Sequence, residues 1–165
     1  MRLSGAEWLL GGDLVDVVKK SGEVMFSGEY TPKLDDKGRV IVPIKLREAL
    51  GFTFFVTKGL DGCLFMYNEE GWTKFAQNII DANGKDEDVR AIQRYFLSPA
   101  SPNSLDKQGR FLINQNLREF AKLDKDIVMI GVVNRVEIWD AETYLKRQIS
   151  ANDAGNLLKN MDIRI

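Results

Sequence analysis

The chain has 165 residues, 44% of them hydrophobic and 28% charged, with a net charge of −1; this suits one compact domain or two small ones and is not a disordered composition. With no histidine and one cysteine, Cys63, it cannot build Ser-His or Cys-His nucleophile pairs, the usual structural zinc sites or a disulfide within the chain. No apolar run has membrane-spanning length, and no Gly-rich phosphate loop or Gly-x-Ser-x-Gly elbow occurs, so the expectation is a cytosolic non-enzyme without catalytic residues, metal or cofactor.

Taken in chain order, residues 1–24 hold a short apolar patch interrupted by Gly11, Gly12, Asp13 and Asp16, unlike a secretory signal. They have no counterpart elsewhere in the chain. Met25 reads as a natural start, and Gly22-Glu23-Val24 can be encoded as GGGGAGGTN, which resembles a ribosome-binding site. The expectation is that this N-terminal extension is translated leader.

A first unit, 29–76, begins extended and turns at Lys37-Gly38. It leaves as the strand Arg39-Val40-Ile41-Val42. A short helix follows, with Pro43 in its first turn, Leu46 and Leu50 facing inward one turn apart, and Gly51 ending it in a left-handed conformation. Two strands then flank the hairpin signal Leu60-Asp61-Gly62. A helical linker, 77–104, continues a helix begun in EEGWTKFAQNII (69–80), breaks at Ala82-Asn83-Gly84 and resumes in DEDVRAIQRYF (86–96). Asp86 and Asp88 suit the positive end of that helix.

A second unit, 105–148, repeats the first. Residues 34–50 read LDDKGRVIVPIKLREAL and residues 105–121 read LDKQGRFLINQNLREFA. Leu34, Asp35, Gly38, Arg39, Leu46, Arg47 and Glu48 recur as Leu105, Asp106, Gly109, Arg110, Leu117, Arg118 and Glu119 at a constant offset of 71. Those are 7 identities in 17 positions, where average residue usage gives about one. Upstream, Met25-Phe26-Ser27 matches Phe96-Leu97-Ser98, and downstream 54–67 corresponds loosely to 127–139. In the second copy Asn114 reads as an N-cap, and Leu117 and Ala121 take the inward positions. A helical tail, 149–165, completes one or two terminal helices over 141–161, weakened in the middle by Gly155.

Each unit holds Asp-x-x-x-Arg around a glycine turn: Asp35 to Arg39, and Asp106 to Arg110. Glycine supplies the positive φ of a tight turn, and aspartate can bond loop amides. A structural role explains the arginine poorly, because an exposed ion pair stabilises by at most about 1 kcal/mol. A guanidinium on a rigid hairpin can instead bond O6 and N7 of guanine or clamp a phosphate, with the aspartate orienting it and Lys37 or Lys107 adding a phosphate contact. Residues 33–48 and 105–122 each carry two more basic than acidic residues, on an acidic background.

Six stretches, MFSGEY (25–30), LDDKGRVIVP (34–43), GLDGCLFMY (59–67), LDKQGR (105–110), LREFAKL (117–123) and NRVEIW (134–139), resemble the MraZ family of bacterial transcriptional regulators in order and spacing. The resemblance runs from Met25 to about residue 148. It implies an α+β fold in which two tandem SpoVT-AbrB-type units form an intrachain swapped-hairpin β-barrel with flanking helices. It implies that Asp35 and Arg39, and Asp106 and Arg110, carry the family's DNA-binding signature. Gln108 in place of Lys37, and Asn114 in place of Pro43, point to unequal halves.

The family further implies a nucleoid-associated, ring-shaped homo-oligomer on double-stranded DNA. It would recognise short repeated G-containing promoter boxes and control a division and cell-wall gene cluster, including its own promoter. Apolar residues at the linker ends (Ile79, Ile80, Tyr95, Phe96) and Trp72 or Trp139 are expected to supply surplus surface for an assembly larger than a dimer. The rival reading is a non-catalytic oligomeric scaffold on the same barrel, distinguished by the absence of salt-sensitive DNA binding.

Overall fold

A computed structural model of the chain describes residues 25–165; the expected leader, 1–24, lies outside the described residues. The first half contains β1 (Glu29–Tyr30), β2 (Arg39–Ile41), α1 (Ile44–Leu50), β3 (Phe54–Lys58) and β4 (Leu64–Asn68). Next come α2 (Glu69–Ile80), α3 (Asp86–Ile92) and a π-helical turn, Gln93–Leu97. The second half repeats the order as β5 (Ser101–Asn103), β6 (Arg110–Leu112), α4 (Gln115–Phe120), β7 (Ile127–Val132) and β8 (Arg135–Asp140). Two helices, α5 (Ala141–Arg147) and α6 (Ala151–Asn160), end the chain.

The strands form a six-stranded antiparallel sheet, β1-β7-β8-β4-β3-β5, and a separate two-stranded ribbon, β2-β6. Exchanging the halves leaves this order unchanged. The halves are interlocked: β1 pairs with β7 of the second half, β5 with β3 of the first, and β4 with β8 at the centre. The six-stranded sheet is not closed, and β2 lies outside it with both edges used. One edge meets its own loop, through Asp35 N–H to Arg39 O (2.9 Å) and the Leu34–Val40 bridge. The other meets β6.

The core is shared by both halves. Val40 and Val42 from the first copy meet Phe111 and Ile113 from the second, each at most 5% exposed. Leu46, Ala49 and Leu50 of α1 and Leu117 with Ala121 at α4 are buried against the same cluster. Phe54 and Phe111 pack edge to face across the halves at 5.0 Å. Local signals behave as the chemistry dictates. Gly51 ends α1 at φ 74 with its N–H on Arg47 O (3.0 Å), and Asp61 and Gly62, at φ 63 and 92, close the β3–β4 hairpin. Pro43 sits one residue before α1, at φ −52, as its N-cap.

The helix expected over 69–80 forms as α2. Two other expectations change. First, the break in the terminal helical region falls at Gln148 to Ser150, where the Ser150 side chain accepts from Asp153 N–H (3.1 Å), while Gly155 lies inside α6. Second, most of the apolar linker residues are consumed within the chain. Ile79, Phe96 and Trp139 are buried at 7%, 8% and 5% exposure in a second cluster with Phe65 and Tyr67 on the outer face of the sheet. Buried Thr57 donates to the Phe96 carbonyl (2.6 Å), which satisfies a polar group in the π-helical turn. Ile80 and Ile92 in the linker, Ile44 and Phe52 at the two ends of α1, and Leu145 on α5 are among the large apolar side chains left exposed.

Candidate nucleic-acid interface

The two Asp-x-x-x-Arg loops fold identically. In the first, Gly38 N–H donates to Asp35 O (3.0 Å), and Gly38 has φ 83. In the second, Gly109 N–H donates to Asp106 O (3.0 Å), and Gly109 has φ 77. This is the three-residue hairpin loop whose last position favours glycine, because a side chain there meets the backbone. One oxygen of Asp35 accepts from Lys37 N–H and Arg39 N–H, both at 2.9 Å, and the other from Arg39 Nε at 2.8 Å. Asp106 does the same with Gln108 N–H and Arg110 N–H at 2.9 Å and Arg110 Nε at 2.9 Å.

Each aspartate therefore has two jobs. It braces the turn through the backbone and fixes the arginine through Nε. The Nη groups of Arg39 and Arg110 take no part in these bonds, and both side chains remain about a quarter to a third exposed. Bonds from the Arg39 and Arg110 backbone N–H groups are the first cause holding the two carboxyls below the usual carboxylate range, and the guanidinium contacts add to it. Both aspartates stay ionised at neutral pH, as arginine orientation requires.

Ribbon pairing brings the two loops together. In β2-β6, Arg39 lies opposite Leu112, Val40 opposite Phe111 and Ile41 opposite Arg110. Val42 N–H bonds Gly109 O and Ile113 N–H bonds Gly38 O, both at 2.9 Å, so each strand end is tied to the other half's turn. Val40 and Phe111 point into the core, which turns Arg39, Ile41, Arg110 and Leu112 outward together. Of the six expected site residues, the structure pairs Asp35 with Arg39 and Asp106 with Arg110 and gathers both pairs on one ribbon. Lys37 and Lys107 are exposed on the turns and make no ion pair among the described residues.

Sequence reasoning missed Arg47 and Arg118. Both belong to the repeat, but their spacing gave them no task. Gly38 and Gly109 are buried although they sit at hairpin turns. The cause is a crossed contact: a Cβ on Gly38 would overlap the Arg118 guanidinium, and one on Gly109 would overlap that of Arg47. Each half thus lays an arginine over the other half's glycine turn. The copies are unequal. Arg47 Nε donates to Val42 O (2.8 Å), whereas Arg118 Nε is buried with no hydrogen-bond partner among the described residues. A second inequality lies at the helix starts, where Asn114 Oδ1 caps α4 through Asn116 N–H (2.9 Å) and Pro43 offers no side-chain cap to α1. Among the described residues there is no group of acidic or cysteine side chains that could hold a metal ion, and no helix long and apolar enough to cross a membrane.

Comparison with known proteins points to one family. A family model described as "MraZ protein, putative antitoxin-like" matches twice, over residues 25–95 and 96–161. The Transcriptional regulator MraZ of Acetivibrio thermocellus is 53% identical over 120 residues, covering 73% of this chain and 84% of that protein. That of Moorella thermoacetica is 50% identical over the same shares. That of Clostridium beijerinckii is 46% identical over 138 residues, covering 84% of this chain and 97% of that protein. Two tandem family matches and relatives of this similarity across most of the chain establish that it belongs to the MraZ family.

Proposed function

We propose that this chain is a sequence-specific DNA-binding transcriptional regulator that reads double-stranded DNA through the ribbon β2-β6. The observation that carries the reading is the presentation of two aspartate-braced arginines on one outward face, with their Nη groups uncommitted among the described residues. A two-stranded ribbon fits a major groove, and an arginine fork matches O6 and N7 of guanine. Arg39 and Arg110 are diagonal neighbours across the ribbon, so their strand positions are about 7–8 Å apart. That is comparable to two base-pair steps of about 3.4 Å. Lys37 and Lys107 are placed to meet flanking phosphates, and Asp35 and Asp106 orient the arginines.

The units are read as 29–76 and 105–148, joined by the helical linker 77–104 and followed by the tail 149–165. The cross-half pairing of β1, β5 and the ribbon around one core supports reading the two sheets together as a swapped-hairpin barrel. A net charge of −1 makes a single module a weak electrostatic binder. A ring of copies on repeated G-containing boxes supplies affinity through effective concentration. The targets proposed are a division and cell-wall gene cluster and the chain's own promoter, which places the protein in the cytoplasm on the nucleoid.

Footprinting of the DNA upstream of its own gene tests the reading. Protection of short repeats by the wild type, lost in the Arg39→Ala, Arg110→Ala double variant, is the expected result. A wild type that protects nothing, with no salt-dependent binding to any duplex, leaves the scaffold reading instead.

A further inference from the structure

Two apolar side chains on the reading ribbon have no role in the account so far. Ile41 is 51% exposed and Leu112 56% exposed. They occupy the same position in the two copies, 71 residues apart. Ile41 lies directly opposite Arg110, and Leu112 directly opposite Arg39. The inward neighbours Val40 and Phe111 are 1% and 5% exposed, so the ribbon has a buried face and an outer face. In an antiparallel pair the outer face ordinarily carries polar residues. Here the outer face sets each guanidinium directly opposite an aliphatic group, Arg39 opposite Leu112 and Arg110 opposite Ile41, so the two arginines share one diagonal and the two aliphatic side chains the other.

We propose that Ile41 and Leu112 read thymine through its 5-methyl group, beside the bases engaged by Arg110 and Arg39. The proposal rests on the DNA-reading function above and names part of its specificity. The major-groove edge of a duplex offers donors and acceptors at every base pair, but its apolar feature is the thymine methyl, which aliphatic side chains contact. A face that mixes forked cations with short aliphatic groups at base-pair spacing is complementary to an edge mixing guanine acceptors with thymine methyls. It is not complementary to a phosphate row, where the aliphatic positions would oppose charge. Contact with bare phosphate would also give no reason for an apolar residue at both symmetry-related positions. The identity changes from Ile to Leu between copies while the apolar character is kept.

The test uses the full chain and a synthetic duplex carrying the footprinted site upstream of its own gene. A second duplex carries uracil at every thymine of that site, which deletes only the methyl groups. Wild type is expected to bind the uracil duplex more weakly by about fourfold for each methyl engaged, the transfer free energy of one such group. Ile41→Ala and Leu112→Ala should each weaken binding to the thymine duplex and shrink the thymine-over-uracil ratio toward one. Binding to random DNA and the assembly mass should stay unchanged. Equal wild-type affinity for the two duplexes overturns the proposal, as does an undiminished ratio in both variants. A changed assembly mass in Ile41→Ala or Leu112→Ala also overturns it, assigning this face to a contact between copies. If the wild type binds neither duplex, the DNA-reading function itself fails, which is a different result from a lost methyl preference.

Discussion

Replacing Gly109 by alanine isolates the crossed arginine contact. Gly109 has φ 77, and forcing an L side chain into that left-handed region costs about 1–2 kcal/mol. The new Cβ also overlaps the Arg47 guanidinium, so Arg47 must leave, giving up its Nε bond to Val42 O. Such a bond contributes about 0.5–1.5 kcal/mol, rising to about 3 with a charged donor. Gly109→Ala should therefore cost about 2–4 kcal/mol. Gly62→Ala is the reference, since Gly62 also has positive φ, 92, but open space where a Cβ would sit; it should cost only about 1–2 kcal/mol. Gly38→Ala should fall between them, because Arg118 has no Nε bond to lose among the described residues. Denaturant unfolding of the three variants measures these costs, and for a chain of this size 1 kcal/mol corresponds to about 2–4 °C in Tm. In an Arg47→Ala background the excess cost of Gly109→Ala should vanish. Equal costs at Gly109 and Gly62 would refute the crossed contact, and so would an excess that survives removal of Arg47.

The Asp35 and Asp106 carboxyls have folded pKa values below their unfolded ones, so their contribution is fully present above the unfolded value and is lost as pH falls through the folded value. Thermal stability should be flat in this respect from pH 6 to 8 and decline below about pH 4, and the Asp35→Asn, Asp106→Asn double variant should lose part of that decline; an unchanged acid limb would contradict the loop bonding. Operator affinity should also drop in the double variant at neutral pH while the fold is retained, as read by near-ultraviolet circular dichroism. Burial pushes the Cys63 thiol up to about 12, and its Sγ donates to Leu60 O (3.1 Å). Iodoacetamide at pH 8 should leave native protein unlabelled and label it fully in denaturant, and rapid native labelling would contradict the burial. Phe52 and Ile44, 87% and 78% exposed, are the surface expected to be covered in a ring, so light scattering at micromolar concentration should give a mass above a dimer, and a monomer mass would contradict the ring.

The repeat made much of the fold readable. Glycine at the turn, the Leu46–Leu50 spacing and the Leu60-Asp61-Gly62 hairpin are local signals, and each is realised locally. The aspartate–arginine pairing was legible for the same reason, since four residues of loop bring the two together. The crossed contacts of Arg47 and Arg118 were not, because they depend on which half's turn each helix faces, a relation between segments about 60–80 residues apart. A conserved identity between the copies at both positions was the available signal. Burial of Ile79, Phe96 and Trp139 was likewise hidden. Their apolar character is plain in the sequence, but whether the chain's own sheet or a second copy covers them depends on how α2 and the π-helical turn fold back onto the outer face of the sheet. The place of β2 outside the six-stranded sheet turned on its hydrogen bonding, since its three residues are spent on its own loop and on β6.

The central claim is that Arg39 and Arg110 read bases, with the charge of Lys37 and Lys107 left for phosphates. The direct measurement is a titration of wild type and the Arg39→Lys, Arg110→Lys double variant against footprinted and scrambled duplexes at two salt concentrations. Lysine keeps the charge but not the fork. Specific affinity should fall by about 1–3 kcal/mol for each engaged arginine, while affinity for scrambled DNA and the salt slope barely change. A double variant that folds, assembles and binds the footprinted duplex as wild type does would contradict the claim. So would equal losses on both duplexes, because they would make the arginines phosphate clamps.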